Sequence, residues 1–426
     1  MSVISFTAPN GPLNATVRVP GSKSVANRAL ICALLAEGES RIAGLPDGDD
    51  TTVILDVLEQ MKRTRRDGDA IVVSGSRVVK LPGIIDAKLA GTSSRFLTAV
   101  AALGDATCVV DGGEPLRGRP MADLHEALAN LGAELTPFGE VGHLPVSVSR
   151  GSLNGGRISI RGDVSSQFIS ALMLIGPMLG DGLVVDIAGD LVSRSYVEMT
   201  ADVMRAFGAT AVIDESTISI APGGYVSSDY QVEPDFSSAA FPLAALALRD
   251  GSVRIPSLGL ASMQGDAEIV RILSAMGCSV SELGSDIIVS RSETPLHGIE
   301  INMADCSDLV PAVAVAMLFA STSSRITGVG FIRRKESDRL GDLADELRKV
   351  GAHVEVEEDG LLIYPMKDVV PADLATHHDH RLAMALALLA LAVNGIGIID
   401  PAVVSKSWPT FFADMEPILG TPKSQN

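Results

Sequence analysis

Many lysines and arginines of this acidic chain fall within or beside short polar clusters instead of being scattered over solvated faces. They include Lys23, Arg28, Arg95, Arg117, Arg119, Arg194, Arg333, Arg334, Lys335, Arg339, Arg381 and Lys406. Arginine forks grip carboxylate and phosphate through two parallel hydrogen bonds, and lysine supplies a compact charge or a proton, so the set fits small polyanionic substrates. Three acid/base groups lie among the cations: Asp308 at a helix start, Glu336 in RRKESDRL and His380 in HHDHR. A carboxylate ringed by cations stays ionised, which favours Asp308 as a base; Glu336 becomes an acid only where something opposes that shift. Arg95, Arg117, Arg194, Arg333 and Arg334 are the ones best read as plain surface charges or ion pairs. Glu336 and Asp338 have the same plain reading, as partners of Lys335 and Arg339.

The elements that carry these residues repeat. Six segments share a polar start rich in Gly, Ser or Asp that runs straight into an apolar stretch: GSKSVANRALICALLA from Gly21, GTSSRFLTAVAAL from Gly91, DVSSQFISALMLI from Asp163, DFSSAAFPLAALAL from Asp235, DCSDLVPAVAVAML from Asp305 and HHDHRLAMALALLAL from His377. With Ser24, Ser94, Ser166, Ser238, Asp308 and His380 taken as equivalent, the spacings are 70, 72, 72, 70 and 72 residues. A second feature recurs out of phase, an amphipathic helix ending near Gly132, Gly208, Gly277 or Gly351 and followed by a strand. Each unit of about 70 residues is therefore a mixed α/β module too small to bury a core alone. Its first helix is apolar on nearly all faces, which predicts several such helices packed together inside a ring of strands. Ser and Asp at the starts cap helices, the plainer reading for Ser237 and Ser238. If the starts share one side, their N–H groups and positive dipole ends converge on a surface that attracts small anions.

Composition removes other classes. With 426 residues, 46% hydrophobic and 20% charged, the chain has enough apolar content for large globular cores. A net charge of −18 opposes general nucleic-acid binding. The longest apolar runs, 309–320 and 382–393, are too short for a bilayer and read as buried helices, and the opening MSVISFTAPN carries no visible targeting signal, so a cytoplasmic protein is expected. Cys32, Cys108, Cys278 and Cys306 lie far apart with no metal-ligand spacing, so neither disulfides nor a metal site are expected.

The motifs PGSKSVANRAL, GDD at Gly48, LAGTSSRF, RPMADLHEALANLGA, GDVSSQF, GDLVSRSYVEMT, RRKESDRL, DHRLAMALALLAL and SKSWPTFF run in order along almost the whole chain. Together they resemble the 5-enolpyruvylshikimate-3-phosphate synthase family of enolpyruvyl transferases. The resemblance implies a two-domain inside-out α/β barrel of six βαβαββ repeats, three per domain. The domains would be 19–233, and 1–18 plus 234–426, with the active site in the cleft between them. It implies transfer of the enolpyruvyl group of phosphoenolpyruvate to the 5-hydroxyl of shikimate 3-phosphate with release of phosphate, in the shikimate pathway to aromatic amino acids. A cytoplasmic monomer without cofactor or metal, with no nucleic-acid or membrane partner, is implied as well. By motif, Lys23 touches both substrates. Ser24 and Arg28 lie at the shikimate carboxylate, Ser165, Ser166 and Ser193 at the shikimate phosphate, Tyr196 near the ring and Gln167 between the substrates. Gly91, Arg119, Arg339, Arg381 and Lys406 surround phosphoenolpyruvate. Asp308 takes the hydroxyl proton, Glu336 is the proton donor, and Lys335 and His380 assist.

Four positions depart from the family pattern: Leu89, Phe96, Ser195, and Phe331, which stands where an Asn often contacts the shikimate phosphate. Arg333 or Arg334 would be the compensating charge there. Leu89 and Phe96 flank the expected phosphoenolpyruvate pocket, which implies altered affinity for it and for glyphosate, the family's competing inhibitor. The enolpyruvyl transferase acting on UDP-N-acetylglucosamine is the nearest alternative, but it typically has Lys-Asn where Lys23-Ser24 stands and a Cys where GGEPLRGRP has Glu114. An inactive anion-binding relative is the other; it would need the cations but not Lys23, Asp308, Glu336 and His380 together.

Overall fold

The computed structural model describes residues 2–7 and 9–425. The chain forms two compact units, Gly21–Val232, and Met1–Pro20 with Glu233–Asn426. Each is built outward from three helices that avoid water on nearly every side.

In the contiguous unit, Gly21–Val232, these helices are Lys23–Leu35, Gly91–Ala101 and Ser166–Ile175. The three touch one another, and their side chains form one apolar core with the sheets and outer helices. Three sheets lie outside them. In one, the strands run in the spatial order Ile84–Asp86, Cys108–Asp111, Val146–Ser149, Glu134–Pro137. The first pair is parallel because the buried helix Gly91–Ala101 crosses between them, and the remaining strands are antiparallel. Along Cys108–Asp111 burial alternates, turning Cys108 and Val110 to the core. The strands Gly156–Arg161, Leu183–Ala188, Thr217–Ile220 and Ala211–Ile213 repeat the order. In the third sheet, Tyr225–Val226 and Asp229–Gln231 return from the far end of the unit to lie parallel to Ala36–Ala43.

The two-segment unit has the same plan. Its buried helices are Phe236–Leu248, Val310–Met317, entered through the 3₁₀ turn Ser307–Leu309, and His380–Ala387, continued by the 3₁₀ turn Leu388–Leu391. Each 12-residue apolar run of the sequence is thus an α-helix extended by 3₁₀ geometry. Both N-terminal strands belong to this unit: Leu13–Thr16 lies parallel to Gly251–Ile255, and Val3–Ser5 pairs antiparallel with Gly397–Ile399. All six sheets share one order, which is the βαβαββ repeat seen six times. The amphipathic helices Glu268–Met276 and Gly341–Lys349 end ahead of Gly277 and Gly351, at φ +118 and +93, a backbone region that only glycine enters without strain. Among the described residues no helix is long and apolar enough to cross a membrane.

Candidate active site

The plan of each unit brings the first turns of its buried helices together. In the contiguous unit, Asn27 Nδ2 donates to Ser93 Oγ at 3.3 Å, joining the starts of Lys23–Leu35 and Gly91–Ala101. Arg28 joins the first start to the third: Nε donates to Thr200 Oγ1 at 2.7 Å, Nη1 to the Ser24 carbonyl at 2.7 Å, and Nη2 to Ser170 Oγ at 3.1 Å and the Tyr196 carbonyl at 3.2 Å. Its guanidinium also lies over the rings of Phe96 and Tyr196. Burial lowers the Arg28 pKa to about 10, leaving it charged at neutral pH.

Lys23 Nζ sits 2.8 Å from Asp50 Oδ2, a carboxylate supplied by the GDD start of the helix Asp49–Gln60. Arg119 lies over Gly91: a Cβ there would collide with Nη1 of Arg119 and of Arg95. Ser165 caps Ser166–Ile175 by accepting from Gln167 N at 3.3 Å, and Oε1 of Gln167 is buried with no hydrogen-bond partner among the described residues. Ser193 is buried at φ +54, ahead of the helix Arg194–Ala206 that carries Tyr196.

In the two-segment unit one residue organises the cluster. Arg339, 1% exposed, donates from Nη1 to Asp308 Oδ1 at 2.8 Å, from Nη2 to Glu336 Oε2 at 2.7 Å and from Nε to Asp379 Oδ2 at 2.7 Å. Arg381 Nη2 takes the other oxygen of Asp308 at 2.8 Å, and Lys406 Nζ the other oxygen of Glu336 at 2.8 Å. Asp379 caps His380–Ala387 by accepting from Arg381 N at 2.9 Å, and His380 Nδ1 lies 3.7 Å from Asp379 Oδ1. Lys335 Nζ stands 5.7 Å from the centre of the Phe331 ring.

This packing sets the charge states. Burial opposes ionisation of Asp308, but Arg381, Lys335 and Arg339 outweigh it and hold its carboxyl well below the usual range. Burial also disfavours the charge on Arg339, yet Asp379, Glu336 and Asp308 raise its pKa far above normal. The result is a lattice of carboxylates and cations. An anionic ligand can enter by taking the cations from those carboxylates, which become more basic as it does so.

Some sequence expectations change. Arg95 is not a surface charge: it is 3% exposed, with Nη1 on the Gly91 carbonyl at 2.8 Å and its guanidinium over Phe168. Ser237 and Ser238 do not cap Phe236–Leu248; Asp235 does, accepting from Ser238 N at 3.0 Å, because it stands just ahead of the helix while both serines already lie within its first turn. Arg333 is committed to Asp338 and to the Glu357 carbonyl, which leaves it no fork to compensate for Phe331. Glu336 pairs with Arg339, as the plain reading had it, and also with Lys406. Arg117 with Asp111 and Arg194 with Glu198 are exposed ion pairs. Sequence reasoning passed over Asp50 and Asp379, although GDD and HHDHR contain them; for Asp379 a carboxylate next to Arg381 in the same motif was the available signal, whereas the GDD stretch holds no cation.

A family model described as EPSP synthase (3-phosphoshikimate 1-carboxyvinyltransferase) matches residues 7–415. The chain belongs to the EPSP synthase family. Similar curated proteins carry the name 3-phosphoshikimate 1-carboxyvinyltransferase. One from Shewanella loihica is 38% identical over 95% of this chain and 97% of its own. One from Methanospirillum hungatei is 36% identical over 96% of each. The solved EPSP synthase of Acinetobacter baumannii superposes over the full length of both chains with a TM-score of 0.84 at 25% identity.

Proposed function

We propose that this chain is an enolpyruvyl transferase that moves the enolpyruvyl group of phosphoenolpyruvate to the 5-hydroxyl of shikimate 3-phosphate and releases phosphate. The observation that carries the reading is the Arg339 lattice, in which one guanidinium spans Asp308, Glu336 and Asp379 while Arg381 and Lys406 hold the outer oxygens. Enolpyruvyl transfer needs a proton donor, a proton acceptor and several cations in one cluster, and this cluster holds all three. Phosphoenolpyruvate draws Arg339, Arg381 and Lys406 onto its carboxylate and phosphate. Glu336, relieved of its cations, gains a proton and delivers it to the methylene carbon. The adjacent carbon becomes electrophilic, and the 5-hydroxyl adds to it while its proton passes to Asp308. Return of a proton from the new methyl group to the Glu336 carboxylate and departure of phosphate restore the enol ether. Lys335 and His380 assist in the same cluster.

In the contiguous unit, Lys23, Gly91, Arg119 and Gln167 are assigned to phosphoenolpyruvate. Lys23 also meets shikimate 3-phosphate, with Ser24, Arg28, Ser165, Ser166, Gln167, Ser193 and Tyr196. Converging helix starts support an anion site there. Because Phe96 packs on Arg28, its departure from the family pattern acts on the shikimate side, whereas Leu89, 48% exposed, has no such link. Both substrates are phosphorylated metabolites, and a cytoplasmic monomer is part of the same reading. Phosphate release from phosphoenolpyruvate should require shikimate 3-phosphate and fail with UDP-N-acetylglucosamine. Release with the sugar nucleotide would overturn the assignment, and binding of shikimate 3-phosphate without release would point to a binding protein.

A further inference from the structure

The helix Phe236–Leu248 begins against two 3₁₀ turns, Gly265–Ala267 and Ser307–Leu309. The second carries Asp308. The first carries Asp266, which has no part in the roles assigned above. Asp266 is only 3% exposed. Its Oδ2 accepts from Ser237 Oγ, while its Oδ1 is buried with no hydrogen-bond partner among the described residues. A fully ionised carboxylate would leave that oxygen bare in a dry site, at considerable cost.

The surrounding groups do not relieve the cost. Asp235 and Ser237 face Asp266 from the helix start, Asp308 and Cys306 from the neighbouring turn, and Arg381 from the helix His380–Ala387. Arg381 is the one cation in that set, and its Nη2 is already 2.8 Å from Asp308. Burial first, and then the Asp308 charge, raise the Asp266 pKa to about 7; Arg381 and the Ser237 hydrogen bond pull the other way without cancelling them.

We propose that Asp266 is a positioning residue for the transfer reaction: it holds a proton beside Asp308, and when it loses that proton it holds Arg381 back from the substrate anion. The proposal rests on the assignment of Arg381 to phosphoenolpyruvate. Neutral Asp266 leaves Arg381 shared between Asp308 and an incoming anion. Ionised Asp266 adds a second carboxylate that competes for the guanidinium and repels the anion. Binding of phosphoenolpyruvate is therefore coupled to uptake of one proton from solvent above neutral pH.

The test is the KM for phosphoenolpyruvate from pH 5.5 to 9 at saturating shikimate 3-phosphate, in the full chain and in Asp266→Asn and Ser237→Ala. The native KM should climb above neutrality relative to that of D266N, by about tenfold for each pH unit beyond the break, with the ratio of kcat values steady. Ser237→Ala removes a hydrogen bond that favours the ionised form, so its break should move to higher pH. It decides the matter alone should D266N not fold. Parallel profiles for native and D266N protein, or a break moved to lower pH in S237A, would overturn the proposal while leaving the enolpyruvyl reading intact. Absence of turnover in all three proteins, each folded by circular dichroism, would remove that reading and the proposal with it.

Discussion

Arg339 shows how much one side chain can be made to carry. A lysine has the charge but not the planar fork, and it cannot meet three carboxylates from one position. Arg339→Lys should therefore leave Asp379, which is fully buried, without a close cationic partner. The expected cost is about 3 to 5 kcal/mol of stability, read by denaturant unfolding, together with a raised KM for phosphoenolpyruvate. Asp308→Ala separates chemistry from binding. Turnover should fall by about 10²- to 10⁴-fold, the usual contribution of a positioned acid or base, while shikimate 3-phosphate still binds in calorimetry. Loss of binding in step with turnover would instead make Asp308 a structural anchor of Arg381.

At the scale of elements, the six helix starts were legible in the sequence because their information is local: a polar cluster running into an apolar stretch, repeated at nearly constant spacing. The Gly caps were legible for the same reason. What stayed hidden was the pairing of side chains brought together from afar. Arg339 meets Asp379 across 40 residues and Arg28 meets Thr200 across 172, and no short-range pattern encodes either contact. Arg95 was misread because an arginine in a helix start looks exposed until the neighbouring helix lays Phe168 beneath it. The same close packing makes Gly91 sensitive. A methyl group there displaces Nη1 of both Arg119 and Arg95, so Gly91→Ala should raise the KM for phosphoenolpyruvate well beyond its effect on the KM for shikimate 3-phosphate. Equal effects on both constants would show that the methyl group disturbs the whole helix start.

The whole molecule carries two separate apolar cores, one for each unit, joined where the chain passes at Pro20–Gly21 and at Val232–Glu233. Independent cores of this size unfold as separate cooperative events unless an interface couples them, so calorimetry should resolve two transitions. Asp266 offers a way to assign them. Its folded pKa of about 7 lies above the 3.8 of an ordinary aspartate, so the folded state binds the proton more tightly. Its contribution is therefore present at low pH and is lost progressively as pH rises from about 4 to about 7. Asp266→Asn, which cannot ionise, should relieve that loss, by little near pH 4 and by progressively more as pH rises through neutrality. The gain belongs to the core that contains Phe236–Leu248, so one transition should move upward, further at pH 8 than at pH 5, while the other stays in place. A single transition would mean that the two cores unfold as one, and a gain independent of pH would mean that Asp266 holds no proton in the folded protein.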